Sequence, residues 1–111
     1  MKSITQSLTI KNDKGENIFI DFNRIRKSSL ILRAVNHKLR QQILQLLERE
    51  SKLTVTDIYM KMAIEQSVAS QHLAILRRAK FVETSRQGKY IYYSVSDDKF
   101  QEISKVLDIL V

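Results

Sequence analysis

The hydrogen-bonding side chains Ser67, Ser70 and Gln71 recur at helical spacing, and Ala74, Arg77 and Arg78 continue the same line with no acid among them. Hydroxyl and carboxamide groups both donate and accept hydrogen bonds. Set along one helix face, they suit phosphate oxygens and base edges, and glutamine can pair bidentately with adenine. The bland alternative is a solvated helix face. Arg86 and Lys89, on either side of Gly88, form a second cluster. At the tip of a tight turn they suit a phosphate backbone; otherwise they are ordinary turn charges. Between residues 67 and 96 Glu83 is the only acid, against Arg77, Arg78, Lys80, Arg86 and Lys89. The whole chain carries 19 basic and 12 acidic side chains, a formal charge of +7. A basic concentration of this kind suits a polyanion, nucleic acid ahead of an acidic membrane. Tyr90, Tyr92 and Tyr93 can stack on single-stranded bases, but half-buried strand packing explains them better.

Other chemistry is excluded by what the chain lacks. It has no cysteine, hence no thiol nucleophile, disulfide or cysteine metal site. Its two histidines, His37 and His72, stand in no array with carboxylates. His37 reads as helping to start a helix, and His72 as a structural or phosphate-contacting residue rather than a metal ligand. There is no glycine-rich phosphate loop. The expectation is a protein that is not an enzyme and needs no cofactor. No apolar run approaches the ~20 residues of a membrane span, and the start, MKSITQSLTI, has no signal-peptide core. We therefore expect a soluble, cytoplasmic protein without a membrane partner.

The 111 residues fit one domain, long enough to bury a core without staples. Two glycines and no proline indicate a helix-rich chain. Leu8-Thr9-Ile10 and Ile18-Phe19-Ile20 flank Asn12-Asp13-Lys14-Gly15, the pattern of a hairpin. A helix follows over about 23–36, with Asn23 as its cap and Ile25, Leu32 and Val35 near one face. A second helix spans about 37–49, capped by Asn36, with Leu39, Ile43, Leu46 and Leu47 as its core stripe. Thr54 caps a third helix over 55–62, with Asp57 in its first turn. After a short turn at 63–66, a fourth helix spans 67–79 and buries Ala69, Leu73 and Leu76. Val82–Arg86 and Tyr90–Val95 then alternate as strands, and Gly88 supplies the turn. The last helix runs from Asp97 to Val111. Its stripe of Phe100, Ile103, Leu107 and Leu110, widened by Val106, Ile109 and Val111, is more than one small core needs. The fold class is mainly α with a small β-hairpin wing (α+β): a winged helix-turn-helix over residues 23–111, preceded by an N-terminal extension, 1–22, holding the extra hairpin.

On these residues the chain resembles a known family. SVASQHLAILRRAKFV at 67–82, followed by RQGKYIYYSV at 86–95, resembles the ArsR/SmtB family of bacterial winged-helix repressors. NHKLRQQILQLL at 36–47 matches the family's stretch through its second helix, with Arg40 and Ile43-Leu44 in register. Ser70, His72, Leu73, Leu76, Gly88 and Tyr92-Tyr93 match in order, and the likeness covers about residues 30–111. It implies a homodimer, joined by the first and last helices, on a twofold-symmetric DNA operator. It also implies that Gln66, Ser67, Ser70 and Gln71 lie at the DNA, with His72 following them in the pattern. Arsenic-sensing members carry Cys-Val-Cys-Asp where this chain has Thr54-Val55-Thr56-Asp57, and threonine offers no thiolate to a soft metal. Zinc-sensing members use histidine and carboxylates on the last helix; here there are Asp97, Asp98, Glu102 and Asp108 but no histidine.

The resulting expectation is a sequence-specific regulator of double-stranded DNA, a homodimeric repressor of ArsR/SmtB type without the family's best-known metal sites. Gln66, Ser67, Ser70, Gln71, His72, Arg77, Arg86 and Lys89 are its expected DNA-binding residues. Ile25, Leu32, Phe100, Ile103, Leu107 and Leu110 are expected to join the dimer. The effector is not legible. The competing expectation is a winged-helix module that contacts a protein instead, motivated by the extra hairpin and the missing sensor ligands.

Overall fold

The computed structural model describes residues 7–111; of the expected extension at 1–22, residues 1–6 and the beginning of MKSITQSLTI lie outside the described residues. The chain divides into two compact units, one ending at Arg33 and one spanning Ala34–Val111.

In the first unit β1 (Ser7–Lys11) and β2 (Asn17–Asp21) pair antiparallel, with Leu8 opposite Ile20 and Ile10 opposite Ile18. Asn12 closes the turn: its Oδ1 accepts from the Lys14 and Glu16 amides, both at 2.9 Å. Gly15 takes φ 79°, which a β-carbon would disfavour. The helix α1 (Phe22–Val35) follows β2 directly. Its cap is Asp21, not Asn23 as the sequence suggests: the Asp21 carboxylate accepts from the Asn23 amide at 2.9 Å. The strand runs to the helix without a linker, so the last strand residue is the one placed to reach the open amide.

The second unit holds α2 (Lys38–Glu50), α3 (Val55–Met62), α4 (Gln66–Arg78), β3 (Val82–Gln87), β4 (Tyr90–Val95) and α5 (Asp97–Leu110). The cap of α2 is His37 rather than Asn36: the imidazole Nδ1 accepts from the Leu39 amide at 3.1 Å. Thr54 caps α3 as expected, in a reciprocal box with Asp57; both bonds are 3.1 Å. The α4 helix starts one residue earlier than the sequence suggests, at Gln66.

Core residues come from α2, α3, α4 and the start of β3, while β4 and α5 supply no fully buried side chain. Ile43 and Leu47 of α2, Ile58 of α3, Ala69, Leu73 and Leu76 of α4, and Phe81 are fully buried. Each large one contributes about 1.5–3 kcal/mol of burial. Within α2, Leu44 is buried while Leu39 is only half-buried, so the stripe is rotated from the expected one. Phe100 of α5 meets Phe81 edge-to-face, ring centroids 5.4 Å apart.

Three sharp turns are made without glycine. Ser51 has φ 74° and ψ −56°, and the Lys52 amide donates to the Glu50 carbonyl at 3.0 Å; this is the rare positive-φ γ-turn, a strained form. Ala63 and Lys80 are left-handed, at φ 54° and 68°. Behind them the Ile64 amide reaches the Tyr59 carbonyl and the Phe81 amide the Leu76 carbonyl, at 3.1 and 2.9 Å. Both helices of the helix-turn-helix therefore end in Schellman closures that usually call for glycine.

Candidate nucleic-acid interface

The three residues Ala63–Glu65 join α3 to α4. Because Ala69, Leu73 and Leu76 are buried, helical geometry turns the opposite line outward. Gln66, Ser67, Ser70, Gln71, Ala74, Arg77 and Arg78 are all exposed. Val68, at the edge of that face, is half-buried. No side chain caps the start of α4: Glu65 occupies the cap position without making such a bond.

The wing stands on a different footing from a free hairpin. In β3–β4, Val82 pairs with Val95 and Gln87 with Tyr90, leaving Gly88-Lys89 as the loop. Gly88 has φ 64°, as the first central position of a type II′ turn requires. Leu53 makes an isolated β-bridge to β4. Its amide donates to the Tyr93 carbonyl at 3.1 Å, and the Tyr93 amide donates back at 2.7 Å. Lys52, aimed by the Ser51 turn, donates to Gln87 Oε1 at 3.0 Å and lies 5.1 Å above the Tyr92 ring. Sequence reasoning missed this strap, since nothing local to residues 51–53 announces a partner some forty positions on.

At the tip, Arg86 Nε donates to the Gly88 carbonyl at 3.3 Å, and the Lys89 ammonium lies 5.3 Å over the Tyr90 ring. Both residues are exposed. Among the described residues the ion pairs are Lys61–Glu50 and Lys99–Glu102, at 3.6 and 3.4 Å. Arg77, Arg78, Lys80, Arg86 and Lys89 therefore meet no carboxylate among the described residues. A helix face and a hairpin tip that concentrate unneutralised cations create a positive field suited to phosphates.

One expected residue faces elsewhere. His72 is half-buried and turns back toward α2, where its Nδ1 accepts from Arg40 Nε at 3.1 Å. Its ring centre is 4.8 Å from that of His37. Burial holds the His72 pKa below the ordinary imidazole value, and His37 and Arg40 push it the same way. Arg40 Nη1 also donates to the Ala34 carbonyl at 3.1 Å, which places this arginine at the junction of α1, α2 and α4. Thr54 spends its hydroxyl on the α3 cap. Among the described residues no three His, Cys, Asp or Glu side chains come together in a way that can hold a metal ion.

The expected dimer residues differ in exposure. Ile25 is exposed and Leu32 half-buried in α1; on α5, Phe100 and Ile103 are half-buried while Leu107 and Leu110 are exposed, at 43% and 66%. Leu44 of α2 and Phe100, Ile103 and Leu107 of α5 line an open apolar groove.

Comparison with known proteins places this architecture. Residues 37–84 match the family described as bacterial regulatory protein, arsR family. The transcriptional repressor PagR of Bacillus anthracis is 33% identical over 89 residues, covering 80% of this chain and 89% of PagR. Its crystal structure superposes with a TM-score of 0.63 at 32% identity, over 78% of this chain and 99% of that one. NolR from Sinorhizobium fredii superposes with a TM-score of 0.66 at 31% identity, over 80% and 88% of the two chains. The transcriptional activator HlyU of Vibrio cholerae is 31% identical over 81 residues, 73% of this chain and 74% of HlyU. The chain belongs to the arsR family of bacterial regulatory proteins and is a DNA-binding transcription regulator with a winged helix-turn-helix fold.

Proposed function

We propose that this regulator is a homodimeric repressor that sets α4 of each protomer in the major groove of a twofold-symmetric operator and the wing tip on the flanking backbone. The observation that carries the reading is the acid-free outer face of α4 together with the unpaired cations of the wing. Ser70 and Gln71 read base edges, joined by Gln66 and Ser67 nearer the helix start. Arg77, Arg86 and Lys89 bind phosphates, and the uncapped start of α4 offers amides to another phosphate. The name of PagR supports repression; HlyU, named as an activator, represents the opposite outcome for the test. Residues 23–111 carry DNA binding and dimerisation, and 1–22 are an extension to them. The second protomer covers Ile25, Leu32, Phe100, Ile103, Leu107 and Leu110, which accounts for the apolar surface that α5 leaves open. A cytoplasmic location follows from duplex DNA as the partner, and among the described residues no helix is long and apolar enough to cross a membrane. The threonines at 54 and 56 argue for a signal other than a thiophilic metal.

Selection of bound duplexes from a random pool, followed by affinity against salt, tests this. A discrete twofold motif is expected, with a steep loss of affinity as salt rises. Arg86→Ala lowers the slope of log K against log salt by about 0.9 for each phosphate contact it removes and weakens all sequences alike. Gln71→Ala shifts preference at one position by about 1–3 kcal/mol. Absence of any selected motif, or a monomeric mass by light scattering at micromolar concentration, overturns the corresponding half of the proposal.

A further inference from the structure

His72 follows directly on the outward-facing Ser70 and Gln71, yet its ring points to the start of α2. Three bonds converge there. Arg40 Nε donates to His72 Nδ1 at 3.1 Å, and Arg40 Nη1 donates to the Ala34 carbonyl at 3.1 Å. The Leu39 amide donates to His37 Nδ1 at 3.1 Å. Gln41 adds a fourth tie, donating from Nε2 to the Val35 carbonyl at 2.9 Å. His72 accepts at Nδ1, so its ring is neutral in this arrangement and carries its proton on Nε2. The titratable and charged groups that bear on His72 are His37 and Arg40, both from the start of α2.

We propose that Arg40 and His72 are positioning residues: their hydrogen bond sets α4 against α2 in the register that presents Ser70 and Gln71, and a proton on His72 Nδ1 breaks it. The inference rests on the DNA-binding reading above. Protonation turns the acceptor into a donor facing the Arg40 Nε–H, and it sets two cations side by side. The bond gives way to a repulsion between α2 and α4, so the recognition helix shifts from its register and DNA binding weakens on acidification.

The sign follows from the lowered His72 pKa. Above the ordinary value near 6.5, the folded and unfolded chains both hold His72 neutral and the stability is full. As pH falls below that value the unfolded chain takes up the proton first, and stability drops until the lowered pKa of the folded state is passed. A phosphate contact has the opposite sign, because DNA would favour the charged imidazole and affinity would rise in acid. Since the chain has two histidines, a response between about pH 5 and 8 can be traced to one of them.

The test measures affinity at fixed salt, from about pH 7.5 to 5.5 across the imidazole range. The probe is a duplex selected by the wild-type chain from a random pool. Wild type is compared with His72→Asn, His72→Leu and His37→Asn. Asparagine keeps an acceptor near the Nδ1 position but does not titrate, and it also serves as a good helix cap at residue 37. We expect wild type to lose affinity about tenfold across this range, which spans the titration of an imidazole. His72→Asn is expected to recover most of the neutral-pH affinity that His72→Leu loses and to show no pH response. His37→Asn keeps the response. A rise in wild-type affinity on acidification overturns the proposal and returns His72 to the phosphates. So does a response that survives in His72→Asn, or an asparagine variant no better than leucine. If the wild-type chain selects no duplex, the DNA reading fails by itself. Imidazole nitrogen NMR then still decides the brace: it stands if His72 carries its proton on Nε2 at neutral pH and the Ser70 and Gln71 amides shift as it titrates. It falls if the proton is on Nδ1.

Discussion

The two hairpins of this chain start from the same ingredients and end in different physical states. β1–β2 and β3–β4 are both short antiparallel pairs, and each turns at a left-handed glycine, Gly15 or Gly88. In β1–β2 every strand residue but Asp21 is exposed, including Phe19 at 60%. In β3–β4, Val82 is buried, Leu53 bridges to Tyr93, and Lys52 fastens Gln87 and Tyr92. A two-stranded hairpin alone is marginal in water. Cross-strand pairing is therefore not what anchors the wing. The Leu53 bridge, the Lys52 contacts and the buried Val82 tie it to the rest of the unit.

The sharpest way to break this contrast is to remove one aromatic ring from each side of it. Phe81→Ala, at the root of the wing, is expected to cost about 3–5 kcal/mol in urea unfolding. Phe19→Ala should stay within about 0.5 kcal/mol. A large loss at Phe19 would show that the first hairpin is covered in solution. A smaller difference comes from the turns. An added methyl meets no atom within 4 Å at either glycine, so alanine there carries only the left-handed penalty of about 1–2 kcal/mol. Gly88→Ala should lower the global unfolding free energy by that amount. Gly15→Ala should fray its own hairpin and leave that free energy alone. Smallest is the strap: Lys52→Met should cost about 0.5–1 kcal/mol and speed hydrogen exchange at the wing tip. The Tyr93 amide, held by Leu53, should exchange far more slowly than the amides of β1–β2; equal rates would erase the distinction.

Much of the site was legible because it is local. The line of Ser67, Ser70, Gln71, Arg77 and Arg78 is fixed by helical period once Ala69, Leu73 and Leu76 are recognised as core. Thr54 with Asp57 is a box written into four residues. The caps of α1 and α2 were displaced from Asn23 to Asp21 and from Asn36 to His37. The choice there depends on where the preceding segment delivers the chain, which the asparagine preference alone does not reveal. The closures at Ala63 and Lys80 escaped notice because neither carries the usual glycine; the surrounding packing holds those residues in the left-handed region. Arg40 and His72 are 32 positions apart, and no periodicity joins them.

The sequence by itself therefore determined the order of the elements, the outward chemistry of α4 and the charge at the wing tip, since these follow from period, composition and short-range capping. The tertiary structure decided which of those groups are free to meet a ligand. It turned His72 inward, spent the Thr54 hydroxyl on a helix cap, and bound Lys52 to the wing. These choices rest on bonds between segments distant in the chain, made only once the core has brought α2, α4 and the hairpin together.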